Sequence, residues 1–140
     1  MTTFTLILAF MLPLFVSPGV CSSSTPESHT VSSKDKKEII VYYFHTSRRC
    51  PTCVSIERVA KNVVKEQYGK DKNVVFRAVN IEDKENDALA EKYEVGGSAL
   101  LVCCGEKSKD LTGKAFQYGM SNPGKLQALI IETVDGMRKG

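Results

Sequence analysis

At 140 residues, 42% hydrophobic and 25% charged, the chain has enough apolar material for one modest core. Its net charge of +3 is small, and no basic stripe interleaved with aromatics runs through it, so nucleic acid is not an expected partner. Five cysteines in so short a chain make thiol chemistry the first question.

Residues 1–21, MTTFTLILAFMLPLFVSPGVC, read as an export signal, with an apolar core over residues 6–16 and the small residues Ser17 and Gly19 near a cleavage point. The run falls short of the roughly 20 apolar residues that a membrane span needs. No lysine or arginine precedes it, which leaves a retained short anchor as an alternative. Cys21, followed by SSSTPES, offers another: the lipid-carrying first residue of a lipoprotein, although SPGV is a poor match to the pattern that lipidation uses. Residues 22–37 hold one sizeable apolar residue, Val31, and read as a flexible linker in which His29 is solvated. The folded domain is expected over residues 38–140, in a periplasmic or extracellular setting.

EIIVYYFH (38–45) is a continuous apolar, β-branched and aromatic run, suited to a strand buried on both faces. From Pro51 onward, Ile56, Val59, Ala60, Val63, Val64 and Tyr68 fall at helical spacing, and Gly69 marks the stop. NVVFRAVNI (73–81) is a second strand. DKENDALAEKY then predicts a short helix capped by Asp83, with Leu89 and Tyr93 facing inward. ALLVCC (99–104) is a third strand, and a turn at 105–107 leads into an irregular fourth strand ending at KAFQY. The last helix opens with Asn122 as cap and Pro123 at its first position, and its stripe is Leu126, Leu129, Ile130, Val134 and Met137. The fold class is therefore α/β: a mixed four-stranded sheet, the first pair parallel and the last pair antiparallel, with helices on both faces.

Within RRCPTC (48–53), Pro51 suits the first turn of a helix, where a missing amide costs nothing. Cys50 then takes the cap position, where free amides and the helix dipole favour negative charge. Thiolate is the attacking species, and Arg48 and Arg49 favour it further. Cys53, one turn inside, is less favoured. Cys50 is thus the candidate nucleophile and Cys53 the resolving thiol, with Thr52 a candidate donor to the Cys50 sulfur. The arginine pair has a plainer reading as a solvated loop.

The order of these elements, with CxxC closing the loop after the first core strand and opening its helix, resembles the thioredoxin superfamily. YEVGGSALL (93–101) is similar to that family's approach to its third strand, and the resemblance covers nearly all of residues 38–138. VYYFHTSRRCPTC further resembles a small exported bacterial group, found near arsenic-resistance genes and named nitrophenyl-compound nitroreductase subunits. That name rests on gene neighbourhood. No flavin or nicotinamide motif is present, and no cofactor is expected. The resemblance implies disulfide exchange with protein thiols and disulfides by a monomer, with a membrane electron donor if the exported protein acts as a reductase.

Two departures bear on this. The family's cis-proline is matched by Ala99, preceded by Ser98; a cis bond without proline costs about 3–4 kcal/mol, so a trans bond and a remodelled groove are expected. The buried acid that many thioredoxins carry before CxxC is also missing. His45 is the nearest substitute, with a plain strand-end residue as the alternative. In that family, loss of the cis-proline opens the dithiol to metal capture, and the resemblance implies the same here, where Cys50 with Cys53 makes half of a soft-metal site. Cys103 and Cys104 offer more sulfur, but adjacent strand residues face opposite ways, and buried core thiols are the simpler reading. Three functions remain open: a thiol–disulfide oxidoreductase, a metal- or metalloid-binding module, and a scaffold with a structural bridge. The last is disfavoured because so small a loop constrains the unfolded chain little.

Overall fold

The computed structural model describes residues 37–140. The export segment expected over 1–21, and all of the 22–37 linker except Lys37, lie outside the described residues.

The first strand, β1 (Ile39–His45), is the axis of the domain. It leads into helix α1 (Pro51–Tyr68), followed by β2 (Val74–Asn80), a 3-10 turn (Lys84–Asn86), α2 (Asp87–Lys92), β3 (Ala99–Cys104) and β4 (Lys107–Asp110). Two helices close the chain, α3 (Thr112–Tyr118) and α4 (Pro123–Lys139). The strands lie in the order β2-β1-β3-β4, with β1 parallel to β2 and antiparallel to β3, and β3 antiparallel to β4. This is an open mixed α/β sheet in a thioredoxin-like arrangement.

Alternation along the central strands divides the core in two. Ile39, Val41 and Tyr43 of β1 join Leu100, Val102 and Cys104 of β3 beneath α1, α3 and α4. Tyr42, Phe44, Leu101 and Cys103 face the other way, where Leu89 and Tyr93 cover them. Both faces of β1 are buried, which explains its unbroken apolar sequence. Helix α1 contributes Ile56, Val59, Ala60, Val63 and Val64 to the larger cluster, each aliphatic side chain of Val or Ile size worth about 1.5–3 kcal/mol on burial. Tyr68 ties the end of α1 to α4 by donating to the Asp135 carboxylate at 2.9 Å.

Two expectations are corrected. KAFQY is not strand: β4 ends at Asp110, and Thr112–Tyr118 is helical, because Leu111 and Ala115, four residues apart, both anchor in the core. Asp83 precedes a 3-10 turn and makes no capping bond; its carboxylate accepts from the Asn80 side chain at 3.1 Å, and α2 proper begins four residues later. At the last helix, Asn122 caps α4 by accepting from the Lys125 amide at 3.0 Å, with Pro123 next.

Candidate functional site

The site forms where β1 hands over to α1. Residues 46–49 make the connection, held by the Thr46 hydroxyl donating to the Arg48 carbonyl and by the Ser47 amide donating to Glu82, both at 2.9 Å. Cys50 follows as the cap residue, extended at φ −78° and ψ 156°, with Pro51 at the first helical position. Its sulfur accepts from the Cys53 amide at 3.1 Å, so a side chain satisfies one of the helix's free donors. Cys50 and Cys53 are joined as a disulfide, their Cα atoms 5.1 Å apart.

The two sulfurs differ in access because the helix turns between them. Cys50 is exposed, whereas Cys53 is 7% exposed and belongs to the core cluster. Thr52 is half-buried and makes no bond to the Cys50 sulfur; the Cys53 amide fills that role. Arg49 pairs with Glu57 on the second turn of α1, and its guanidinium lies 5.8 Å from the centre of the Tyr43 ring. Arg48 is exposed on the loop. His45 donates from Nδ1 to the Thr46 carbonyl at 3.1 Å and stacks on Tyr43 at 6.1 Å, which makes it a strand-end residue beside the site.

The β1–β3 register sets Ala99 opposite Phe44 and so brings the start of β3 to the same end of the sheet. No cis peptide bond occurs among the described residues, so Ala99 enters β3 through a trans bond. Ser98 places its hydroxyl oxygen 3.8 Å from the Cys53 sulfur. Ser98 was read from sequence as a groove residue; its approach to Cys53 depends on strand register and has no local signal.

Cys103 and Cys104 are brought together with neither the pair nor each other. They sit opposite Ile40 and Ile39, at the far end of the sheet, roughly 13 Å along β3 from Ala99. Both are buried free thiols, one in each core cluster, as the simpler reading had them, and neither adds sulfur to this site. Burial pushes the Cys103 thiol above its ordinary range. No group of three or more His, Cys, Asp or Glu side chains able to hold a metal occurs among the described residues.

A groove of about 430 Å³ runs beside Cys50, lined by Arg49, Pro51, Val54, Ser55, Arg58 and Met120. Val54 and Met120, at 50% and 60% exposure, are two of three large apolar side chains left open among the described residues. Another concavity, of about 340 Å³, lies at the opposite end of the sheet against Ile39, Val74 and Cys104, remote from the disulfide. Neither Ser98 nor Ala99, the groove residues read from sequence, lines this one, and Met120 reaches it from the turn between α3 and α4.

No protein-family model matches the chain, and no curated protein does. Among solved structures it is similar to one described as "Structure of a malarial protein", at 22% identity and a TM-score of 0.40, covering 54% of this chain and 82% of that one. A likeness at that level adds nothing to the functional reading.

Proposed function

We propose that this chain is a thiol–disulfide oxidoreductase of the thioredoxin superfamily, working outside the cytoplasm as a monomer on protein partners. One observation carries the reading: an exposed sulfur caps a helix at the end of a core strand, bonded to a second sulfur that the helix buries. When the pair is reduced, the same amide and the helix dipole stabilise a Cys50 thiolate. That thiolate attacks one sulfur of a partner disulfide; a mixed disulfide forms, and the partner's other sulfur leaves as thiolate and takes a proton from solvent. Cys53 then loses its proton and attacks the Cys50 sulfur, which expels the partner's second thiol and closes the Cys50–Cys53 bridge. Two electrons have passed from the dithiol to the partner. To act as a reductase again the pair needs a dithiol donor, for which an exported protein would use a membrane partner.

Arg48, Arg49, Pro51 and Thr52 shape the nucleophile's loop and first turn in this reading, while Ser98 and Ala99 stand at the start of β3, on the Cys53 side of the pair. Metal or metalloid capture by the dithiol is the alternative, and it would rest on two thiolates alone. Redox titration of the purified protein in glutathione buffers, with thiols trapped by alkylation and read by mass, tests the proposal. Reversible two-electron cycling confined to Cys50 and Cys53 is expected. Cys53→Ser should accumulate a mixed disulfide on Cys50, and Cys50→Ser should form none. A pair that binds zinc or arsenite stoichiometrically but exchanges with no disulfide would overturn the reading.

A further inference from the structure

Tyr43 is fully buried at the end of β1, and its hydroxyl is the one buried side-chain polar atom without a hydrogen-bond partner among the described residues. An unsatisfied buried hydroxyl is costly, so its persistence calls for a state in which it is satisfied. Its surroundings identify that state. Tyr43 shares a core cluster with Cys53, and Ser98 and Arg49 are the polar side chains near enough to favour its ionised form, although burial outweighs both and raises its pKa. From the flanking strands it faces Ala78 and Leu100, which carry no titratable group. His45 stacks on its ring, Arg49 lies over it with Glu57 as counter-ion, and Cys50 and Cys53 stand at the start of α1.

Ser98 is near both the tyrosine and the buried sulfur. In the disulfide, Cys53 has no proton, so across the 3.8 Å gap only the Ser98 hydroxyl can donate. A disulfide sulfur is a weak acceptor and a thiolate a strong one; hydrogen bonds to charged groups are the stronger class. We propose that Tyr43 is a positioning residue for the resolving thiol: its hydroxyl donates to the Ser98 oxygen, and the Ser98 proton is thereby aimed at the Cys53 thiolate. The two-donor chain stabilises the charge that Cys53 must carry when it attacks Cys50. The Cys53 proton leaves to solvent, the Cys53–Cys50 bond forms, the bond from Cys50 to the partner breaks, and the partner's thiolate takes up a proton. Neither Tyr43 nor Ser98 is oxidised or loses its proton. The buried acid missing from β1 is thus replaced by neutral donors. This inference rests on the disulfide-exchange reading above.

The test uses the reduced full-length protein and glutathione disulfide, quenched in acid at intervals and mapped by peptide mass. In the wild type the Cys50–glutathione adduct is expected to be transient. In Tyr43→Phe it should persist, with resolution slowed about tenfold near neutral pH, the worth of roughly one hydrogen bond. The difference should close as alkaline pH ionises Cys53 unaided. Ser98→Ala should act alike, and the double variant should be no slower than Ser98→Ala, because a chain is broken once. Formation of the adduct by Cys50 should be unchanged throughout. Oxidised Tyr43→Phe should be at least as stable as wild type in urea, since an unpartnered hydroxyl has been removed. Resolution at the wild-type rate with the wild-type pH profile in Tyr43→Phe would overturn the inference while leaving the exchange activity standing. Additive slowing in the double variant would also overturn it. No adduct in the wild type would overturn this and the exchange reading together.

Discussion

Gly119 shows how tightly the helix bearing the disulfide is seated. It ends α3 at φ −55°, an ordinary helical conformation, so a backbone need does not explain the glycine. Space does. A Cβ there would meet the Ile56 Cγ1 at 2.6 Å and the Ala115 carbonyl oxygen at 2.8 Å. Ile56 lies one turn beyond Cys53, is fully buried and has no room to swing away. The Gly119 carbonyl also accepts from the buried Ser55 hydroxyl at 2.6 Å, fastening α1 to the turn that carries Met120. Overpacking of this kind costs about 1–3 kcal/mol, and loss of the Ser55 bond another 0.5–1.5 or so. The lower unfolded-state entropy of alanine returns about 0.4–1 kcal/mol. Gly119→Ala is therefore expected to destabilise by about 0.5–4 kcal/mol, lowering Tm by roughly 2–30 °C for a domain of this size. Gly136 in α4 is the control, because a Cβ there meets nothing within 4 Å. Gly136→Ala should stabilise by about 0.5–1 kcal/mol through helix propensity alone. Urea unfolding of both variants, compared at equal m, measures the difference. Gly119→Ala as stable as wild type, or moving with Gly136→Ala, would refute the packing argument.

Arg58→Glu should slow exchange with a disulfide peptide carrying Asp beside its cysteine by about 3–10-fold and leave the neutral hydroxyethyl disulfide unaffected, because a groove-edge charge acts on encounter. Equal slowing with both substrates would place the effect on the thiolate instead. Tyr68 and Tyr93 both have pKa values pushed up to about 12, chiefly by burial. A folded pKa above the ordinary 10 means their stabilisation is whole below pH 10 and is lost as pH climbs towards 12. Tm should therefore fall across that window, and Tyr68→Phe should flatten part of the fall; an unchanged slope would contradict it. Cys103, buried with its thiol pKa raised, should be alkylated in the native protein only at the rate of opening, and promptly in denaturant. Prompt native labelling would mean that the second core cluster is loose.

Much of this was legible in the chain because the signals are local. The unbroken run from Ile39 to Phe44 announces a strand covered on both sides, and the pairing of Asn122 with Pro123 announces a helix start. Strand alternation alone sets Cys103 and Cys104 on opposite faces, as the two clusters have them. KAFQY misled because Phe and Tyr favour strands, while the deciding contacts, Leu111 and Ala115 against the core, belong to tertiary structure. The same holds at the site. Cys50 at the cap follows from Pro51, but Ser98 beside Cys53, 45 residues away in the chain, follows from the register of β3 on β1. The Tyr43 hydroxyl is more remote still from sequence, since an absent bond has no residue pattern to mark it.

The asymmetry of the pair comes from the angle at which one strand enters one helix. Residues at positions i and i+3 of a helix share a face, yet the cap residue stands half outside, so Cys50 meets solvent while Cys53 meets the core. Reversing the two thiols' proposed roles would require a sulfur buried in one core cluster with Tyr43, Ile56 and Leu100 to reach a partner disulfide. In the proposed exchange, access favours Cys50 as the attacking sulfur before any difference in acidity is counted. Acidity then works in the same direction. The exposed sulfur has the amide and the dipole, and the buried one has only neutral hydroxyls near it. The intramolecular attack proposed for Cys53 needs no more than that, because Cys53 is held beside the Cys50 sulfur.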